Sequence, residues 1–159
     1  VLFLLAVVLV AGGGVLANQG NVDGWYVTAE KAPWSPPNEL FGPAWSILYF
    51  LIALAGFLLW KAHARASAEG GGHRGILALF VVQLALNSLW SPMFFAGYPA
   101  FGPAGWWLAL VIIIVLDIAV LVLIIKAWPV SRAAALLLVP YLAWICFATT
   151  LNAAIIALN

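Results

Sequence analysis

An all-α membrane protein, folded as a bundle of five transmembrane helices, is the architecture this sequence predicts, on three observations. Of its 159 residues 67% are hydrophobic and 7% charged, with a mean hydropathy of +1.15. That apolar share is well above a soluble domain's, so the natural solvent for most of the surface is lipid. The apolar residues fall into five unbroken runs, each near the ~20 residues that cross a bilayer as a helix. Finally, the runs show none of the polar/apolar alternation over ~10 residues that marks a barrel strand, and a lone segment satisfies its backbone in lipid only as a helix. They leave no length for a soluble domain, so residues 1–159 read as one unit.

The runs cover residues 1–17, 40–60, 75–96, 103–127 and 133–158. The first, Val1 to Ala17, is short and carries neither a basic flank nor an A-x-A cleavage site, so a membrane helix is preferred and a signal-peptide core is the alternative. The chain begins without Met, which predicts that its natural N-terminus lies further upstream. Pro36 and Pro37 cannot continue a preceding helix but can start one, because the first helical position needs no N–H partner; they mark the start of the second. Pro92 should bend the third and free a backbone carbonyl. Between the second and third runs, "AHARASAEGGGH" (Ala62 to His73) is small, polar and glycine-rich, the composition of a flexible connection whose two histidines are solvated.

Five of the six basic residues, Lys61, Arg65, Arg74, Lys126 and Arg132, fall on one side of this arrangement, and Lys31 alone on the other. The positive-inside tendency then puts the N-terminus and both basic loops in the cytoplasm, and the loop from Asn18 to Glu39, the turn near Tyr98 and the C-terminus outside. A net charge of +1 with no basic stripe argues against a nucleic-acid partner. The lone Cys146 excludes an internal disulfide and should pack within the last helix. No His, Cys or carboxylate cluster has metal-ligand spacing, so no metal site is expected, and hydrolase and phosphate-loop motifs are missing from the sequence.

Asp117 stands near the middle of the fourth run, where an isolated charge costs at least ~2.5 kcal/mol. It is either part of a proton or substrate relay or a neutral acid hydrogen-bonded between helices. With no second intramembrane ionisable residue to pass a proton along, the hydrogen-bonded acid is preferred.

The remaining signal is aromatic. Trp25, Tyr26 and Trp34 lie in the outward loop, where an interfacial belt accounts for some of them. Within the runs, Trp45 and Tyr49 share one helix face at i, i+4; Gln83, Asn87, Trp90 and Phe94 make a stripe at i, i+4, i+7, i+11; Tyr141, Trp144, Ala148 and Asn152 make another. Amides bond across helices in lipid and rings fill volume, so the stripes could be packing seams. Close membrane packing favours small residues, however, and bulky rings on three faces hold helices apart. A cavity for a large, flat, apolar ligand, oriented by a few amides and phenols, is the preferred reading.

The strings "WY" (Trp25, Tyr26), "KAPWSPP" (Lys31 to Pro37), "FGPAWSILY" (Phe41 to Tyr49), "QLALNSLWSPMFF" (Gln83 to Phe95) and "VPYLAWICFATTLN" (Val139 to Asn152) resemble, in order and across nearly the whole chain, the signature segments of the translocator or tryptophan-rich sensory protein family. The resemblance implies a five-helix bundle, often dimeric, that binds porphyrins such as protoporphyrin IX, and synthetic benzodiazepine-type or isoquinoline ligands, in a pocket closed by the first loop as a lid. Matched motif by motif, the pocket would be made by Tyr26 of the lid, Trp45, Tyr49, Asn87, Trp90, Trp144, Ala148 and Leu151. No cofactor is implied besides the porphyrin as ligand. Where sterol-binding relatives have a Tyr and then a basic residue, this chain has Ala153 in "LNAAIIALN", which disfavours cholesterol recognition through that motif. Relatives commonly carry their helix-four acid near the position of Ile112, not of Asp117.

Three functions follow as expectations: porphyrin transport, sequestration or stress signalling; light-driven porphyrin degradation, with Trp45 and Trp144 as redox partners; or a structural membrane protein whose Gly97, Gly102 and Gly105 mediate association.

Overall fold

A computed structural model describes residues 24–159; the first apolar run, Val1 to Ala17, lies outside the described residues. Its elements are a short helix α1 (Trp25–Thr28), a 3-10 turn (Asn38–Leu40), α2 (Phe41–Ala68), α3 (Arg74–Phe95), a short α4 (Gly97–Phe101), α5 (Pro103–Ala127) and α6 (Arg132–Leu158). No strand occurs among the described residues. Four of the helices, α2, α3, α5 and α6, are long and apolar enough to cross a bilayer. The chain is an integral, multi-pass membrane protein.

Local sequence explains the boundaries. The turn before α2 follows Pro37, as the two prolines predict. Pro103 occupies the first turn of α5 behind Gly102, whose φ of +60° favours glycine. Ser131 caps α6 by accepting from the Ala134 N–H at 3.3 Å. Several expectations need correction. Helix α2 does not stop at Trp60 but runs to Ala68, because "KAHARASA" is a strong helix-forming stretch and the break comes only at the glycines from Gly70. The connection is correspondingly short, and His63 is not simply solvated: its Nδ1 accepts the His73 backbone N–H at 2.7 Å, tying the end of α2 to the start of α3. The turn near Tyr98 is the helix α4, set against α5.

Helix α5 leans on both α3 and α6, and α6 carries α2 on its other side, while α2 meets α3 only sparingly. The inward stripe of α5 includes Ala109, Ile113, Leu116, Val120, Leu123 and Ala127. That of α6 includes Ala134, Leu138, Tyr141, Ile145, Ala148 and Asn152, all at helical spacing. Alanines on both stripes let α5 and α6 approach closely. The outward faces expose large apolar side chains such as Ile118, Ile125, Val111 and Leu136, the surface expected against acyl chains. Cys146 is exposed there instead of packing inside, because its neighbours Ile145 and Ala148 take the inward positions.

Glycines that could have served association between copies are used within the chain. Gly97 and Gly105 are buried where α4 crosses the start of α5, and a Cβ on Gly105 would lie 2.5 Å from the carbonyl carbon of Gly97.

Candidate functional site

Three of the long helices bring aromatic and amide side chains to one place. From α2, Trp45 stacks on Tyr49 one turn along, with centroids 5.3 Å apart and planes 29° apart. Tyr49 donates to Asn87 Oδ1 of α3 at 3.2 Å, and Asn87 Nδ2 donates to the Tyr141 hydroxyl of α6 at 2.8 Å. Around this layer Trp45 also meets Trp90 of α3 at 6.5 Å and Trp144 of α6 at 6.4 Å, the latter edge-to-face at 85°. Trp90 stacks on Phe94 at 5.8 Å. Trp45 and Trp144, both expected to line the pocket, therefore pack against each other at right angles.

A second cluster adjoins the first through Trp90 and Phe94. There Tyr26, buried in α1, packs on Phe94 and Phe95 at 6.1 and 5.3 Å. Trp25 donates its indole N–H to the Phe95 carbonyl at 2.8 Å and touches Tyr98 and Trp106, which stack face to face at 4.2 Å and 4°. The segment after α1 is pinned at its far side as well, since the Glu30 N–H donates to Asn159 Oδ1 and Asn159 Nδ2 donates back to the Glu30 carbonyl, both at 3.0 Å. Residues 25–30 thus run from the α3–α4–α5 corner to the end of α6. Trp34 stays exposed, as an interfacial ring would.

Of the residues singled out from sequence, Trp45, Tyr49 and Trp144 share the first cluster, joined by the Asn87 amide, and Trp90, Tyr26 and Ala148 the second, which Trp90 links to the first through Trp45. Leu151 is buried on α6 but stands outside both clusters. Sequence reasoning underweighted Asn152 and Tyr141, which it placed on the α6 stripe without a role. Asn152 is fully buried, accepts from the Trp90 indole at 3.3 Å and donates to the Trp106 carbonyl at 3.2 Å, so it joins α3, α5 and α6. The signal available was its position four residues after Ala148 on the same face. Gln83, one turn from Asn87, is fully buried with neither amide atom hydrogen-bonded, and the indole N–H groups of Trp106 and Trp144 are likewise buried without an acceptor.

Asp117 links helices, as the hydrogen-bonded reading expects. Thr149 Oγ1 of α6 lies 2.8 Å from Asp117 Oδ2 and 2.9 Å from the Ile145 carbonyl. Among the described residues no group of His, Cys, Asp and Glu could hold a metal ion.

Tyr26, outside the membrane-spanning helices, has its phenol pushed above the ordinary 10.0 by burial. The Lys31 ammonium lies 4.6 Å from its ring centroid. Because the folded value is raised, Tyr26 contributes its full share of docking below pH 10 and loses it as pH rises through the folded value. The expected result is that protease resistance of residues 24–37 is flat from neutral pH to 9 and falls above about 10, whereas Tyr26→Phe removes most of that alkaline loss. A parent profile identical to that of Tyr26→Phe contradicts it.

The TspO/MBR family profile matches residues 2–158. The chain belongs to the TspO/MBR family. It is 42% identical over 157 residues to the "Tryptophan-rich protein TspO" of Archaeoglobus fulgidus, covering 98% of this chain and 94% of the relative. Against the human "Translocator protein" the identity is 38% over 132 residues, 80% of this chain and 70% of that one. "Protein CrtK" of Rhodobacter capsulatus is 31% identical over 159 residues, 99% and 92% of the two chains. Membership in the TspO/MBR family and the four membrane-crossing helices agree on a multi-pass membrane protein of the tryptophan-rich sensory and translocator type.

Proposed function

We propose that this TspO/MBR protein binds a porphyrin such as protoporphyrin IX within the bilayer and acts in its transport, sequestration or signalling. The fold that serves it is a five-helix bundle, with Val1 to Ala17 as the remaining span and residues 24–37 as the lid, assembled as a homodimer. The observation that carries this reading is the meeting of Trp45, Tyr49, Asn87, Trp90, Tyr141 and Trp144 from three helices, large rings around a pair of phenols and an amide. Such a group offers a flat apolar guest stacking surfaces and a few directional contacts.

For a macrocycle to seat there, Trp45 and Trp144 must turn out of their edge-to-face contact toward parallel. The stacking surfaces of the macrocycle would then replace the contact the two indoles make with each other. Ala148, in the same cluster as Trp90, supplies a small floor, Leu151, buried one turn further along α6, would extend the apolar wall beyond the two clusters, and Tyr26 forms the underside of the lid. The second reading, light- or oxygen-dependent porphyrin degradation, uses the same two indoles as electron donors to the excited porphyrin with dioxygen as the oxidant; loss of the porphyrin spectrum under illumination with a tryptophan-dependent product would favour it.

The test is protoporphyrin IX titrated into detergent-purified protein. Trp45→Phe with Trp144→Phe is expected to weaken binding by about tenfold or more, since two ring contacts of ~0.5–1.5 kcal/mol each are diminished. Unchanged affinity would remove these residues from the site.

A further inference from the structure

A groove on the outside of the bundle leads to the aromatic group through one shared side chain. It occupies about 520 Å³ between α2 and α6, with Ala44, Ile47 and Leu51 on one side and Ala143, Trp144 and Phe147 on the other. Every lining side chain is apolar apart from the indole N–H of Trp144. The groove lies within the apolar stretch of both membrane-crossing helices, and Ile47 at its rim is 62% exposed. What fills it therefore comes from the lipid phase and not from water.

Trp144 forms the inner wall. Its ring packs edge-on against Trp45, and its N–H is buried with no acceptor. Turning this side chain breaks no hydrogen bond, and a ligand carrying a carbonyl or carboxyl oxygen would supply the missing acceptor. Pro140, also in the groove wall and one turn before Trp144, has no N–H to give to the Leu136 carbonyl. Helix α6 thus lacks a ladder bond where it would have to flex. Ala44 and Ala143 keep the groove wide.

We infer that this groove is the path by which a flat, apolar, acceptor-bearing ligand dissolved in the bilayer reaches the aromatic site, with Trp144 swinging aside to admit it. The inference rests on the porphyrin-binding reading and adds to it the direction of approach, sideways from the membrane between α2 and α6.

The test measures protoporphyrin IX delivered in liposomes to the protein in liposomes, followed by quenching of tryptophan fluorescence. Ala143→Phe fills the groove outside the binding group. Obstructing a path raises the barrier equally in both directions and leaves its end points alone, so association and dissociation should each slow by about tenfold while Kd stays within about twofold. Ile47→Trp, which fills the rim from an exposed position and leaves the bundle's packing untouched, should do the same to a lesser degree and serves if Ala143→Phe fails to fold. Parent-like rates in both variants overturn the path while leaving porphyrin binding intact. Weakened affinity with an unchanged association rate also overturns it, by making the groove part of the seat. A parent protein that binds no protoporphyrin is a different result: it overturns the proposed function and the path's cargo together.

Discussion

Gly105→Ala is expected to destabilise the bundle by about 3 kcal/mol or more, the upper end of the cost of overpacking. A methyl group there would stand 2.5 Å from the Gly97 carbonyl carbon, 2.7 Å from its oxygen and 2.9 Å from the Tyr98 nitrogen. All three are backbone atoms, so no rotamer change relieves the clash and α4 must move off α5. The Tyr98–Trp106 stack spans that contact, and Trp25 rests on both rings, so the displacement should also loosen residues 24–37. Gly97→Ala is the internal comparison. Its Cβ would meet Met93 Sδ at 3.0 Å and Gly105 Cα at 3.4 Å, and the thioether can swing away, so its cost should be nearer 1 kcal/mol. Thermal unfolding in detergent reads both. Equal midpoints for Gly105→Ala and the parent would mean that α4 is not held against α5 as described.

Asn87→Leu is expected to lose both stability and ligand. Asn87 is the hydrogen-bonded link between Tyr49 and Tyr141, accepting from the first and donating to the second. Replacing it leaves two hydroxyls in the membrane interior without that partner. An abandoned polar group costs ~1–3 kcal/mol, and interhelical bonds in lipid average ~0.6 kcal/mol, so a loss of about 1–3 kcal/mol is expected from the variant. The sign of the coupling is the sharper check. Tyr49→Phe and Tyr141→Phe added to Asn87→Leu should recover part of the loss, because the orphaned hydroxyls go with them. Protoporphyrin binding should stay weak in the triple variant, since the polar contacts that orient the macrocycle are gone. Strictly additive effects would show that the three residues do not act as one network.

Asn87 shows how far sequence alone reaches. Its stripe with Gln83, Trp90 and Phe94 follows from spacing, and spacing on a helix is local geometry. The same is true of Trp45 with Tyr49 and of Tyr141 with Trp144, so which residues share a face was legible residue by residue. The start of α2 behind Pro36 and Pro37, the length of α5 and the membrane as solvent were legible for the same reason: each depends on backbone chemistry or composition within a few turns. The end of α2 was misplaced because the polarity of "KAHARASA" was weighed above its helix propensity.

Contacts between faces belong to the fold. That Asn87 bridges two particular tyrosines, that Trp45 meets Trp144 at a right angle, that Gly105 seats the backbone of Gly97, and that Cys146 looks outward while Asn152 looks in all depend on how helices distant in sequence are rotated against one another. Periodicity says which side of a helix is different; it carries no information on azimuth relative to a neighbour. Thus membrane class, the presence of the four described spans and the stripes were determined by the sequence itself. The arrangement of rings, the orphaned amide of Gln83 and the groove beside Trp144 were decided by tertiary packing, because they arise from close contacts between groups far apart in the chain, such as the Trp90 and Asn152 side chains 62 residues apart, and not from the order of neighbours along it.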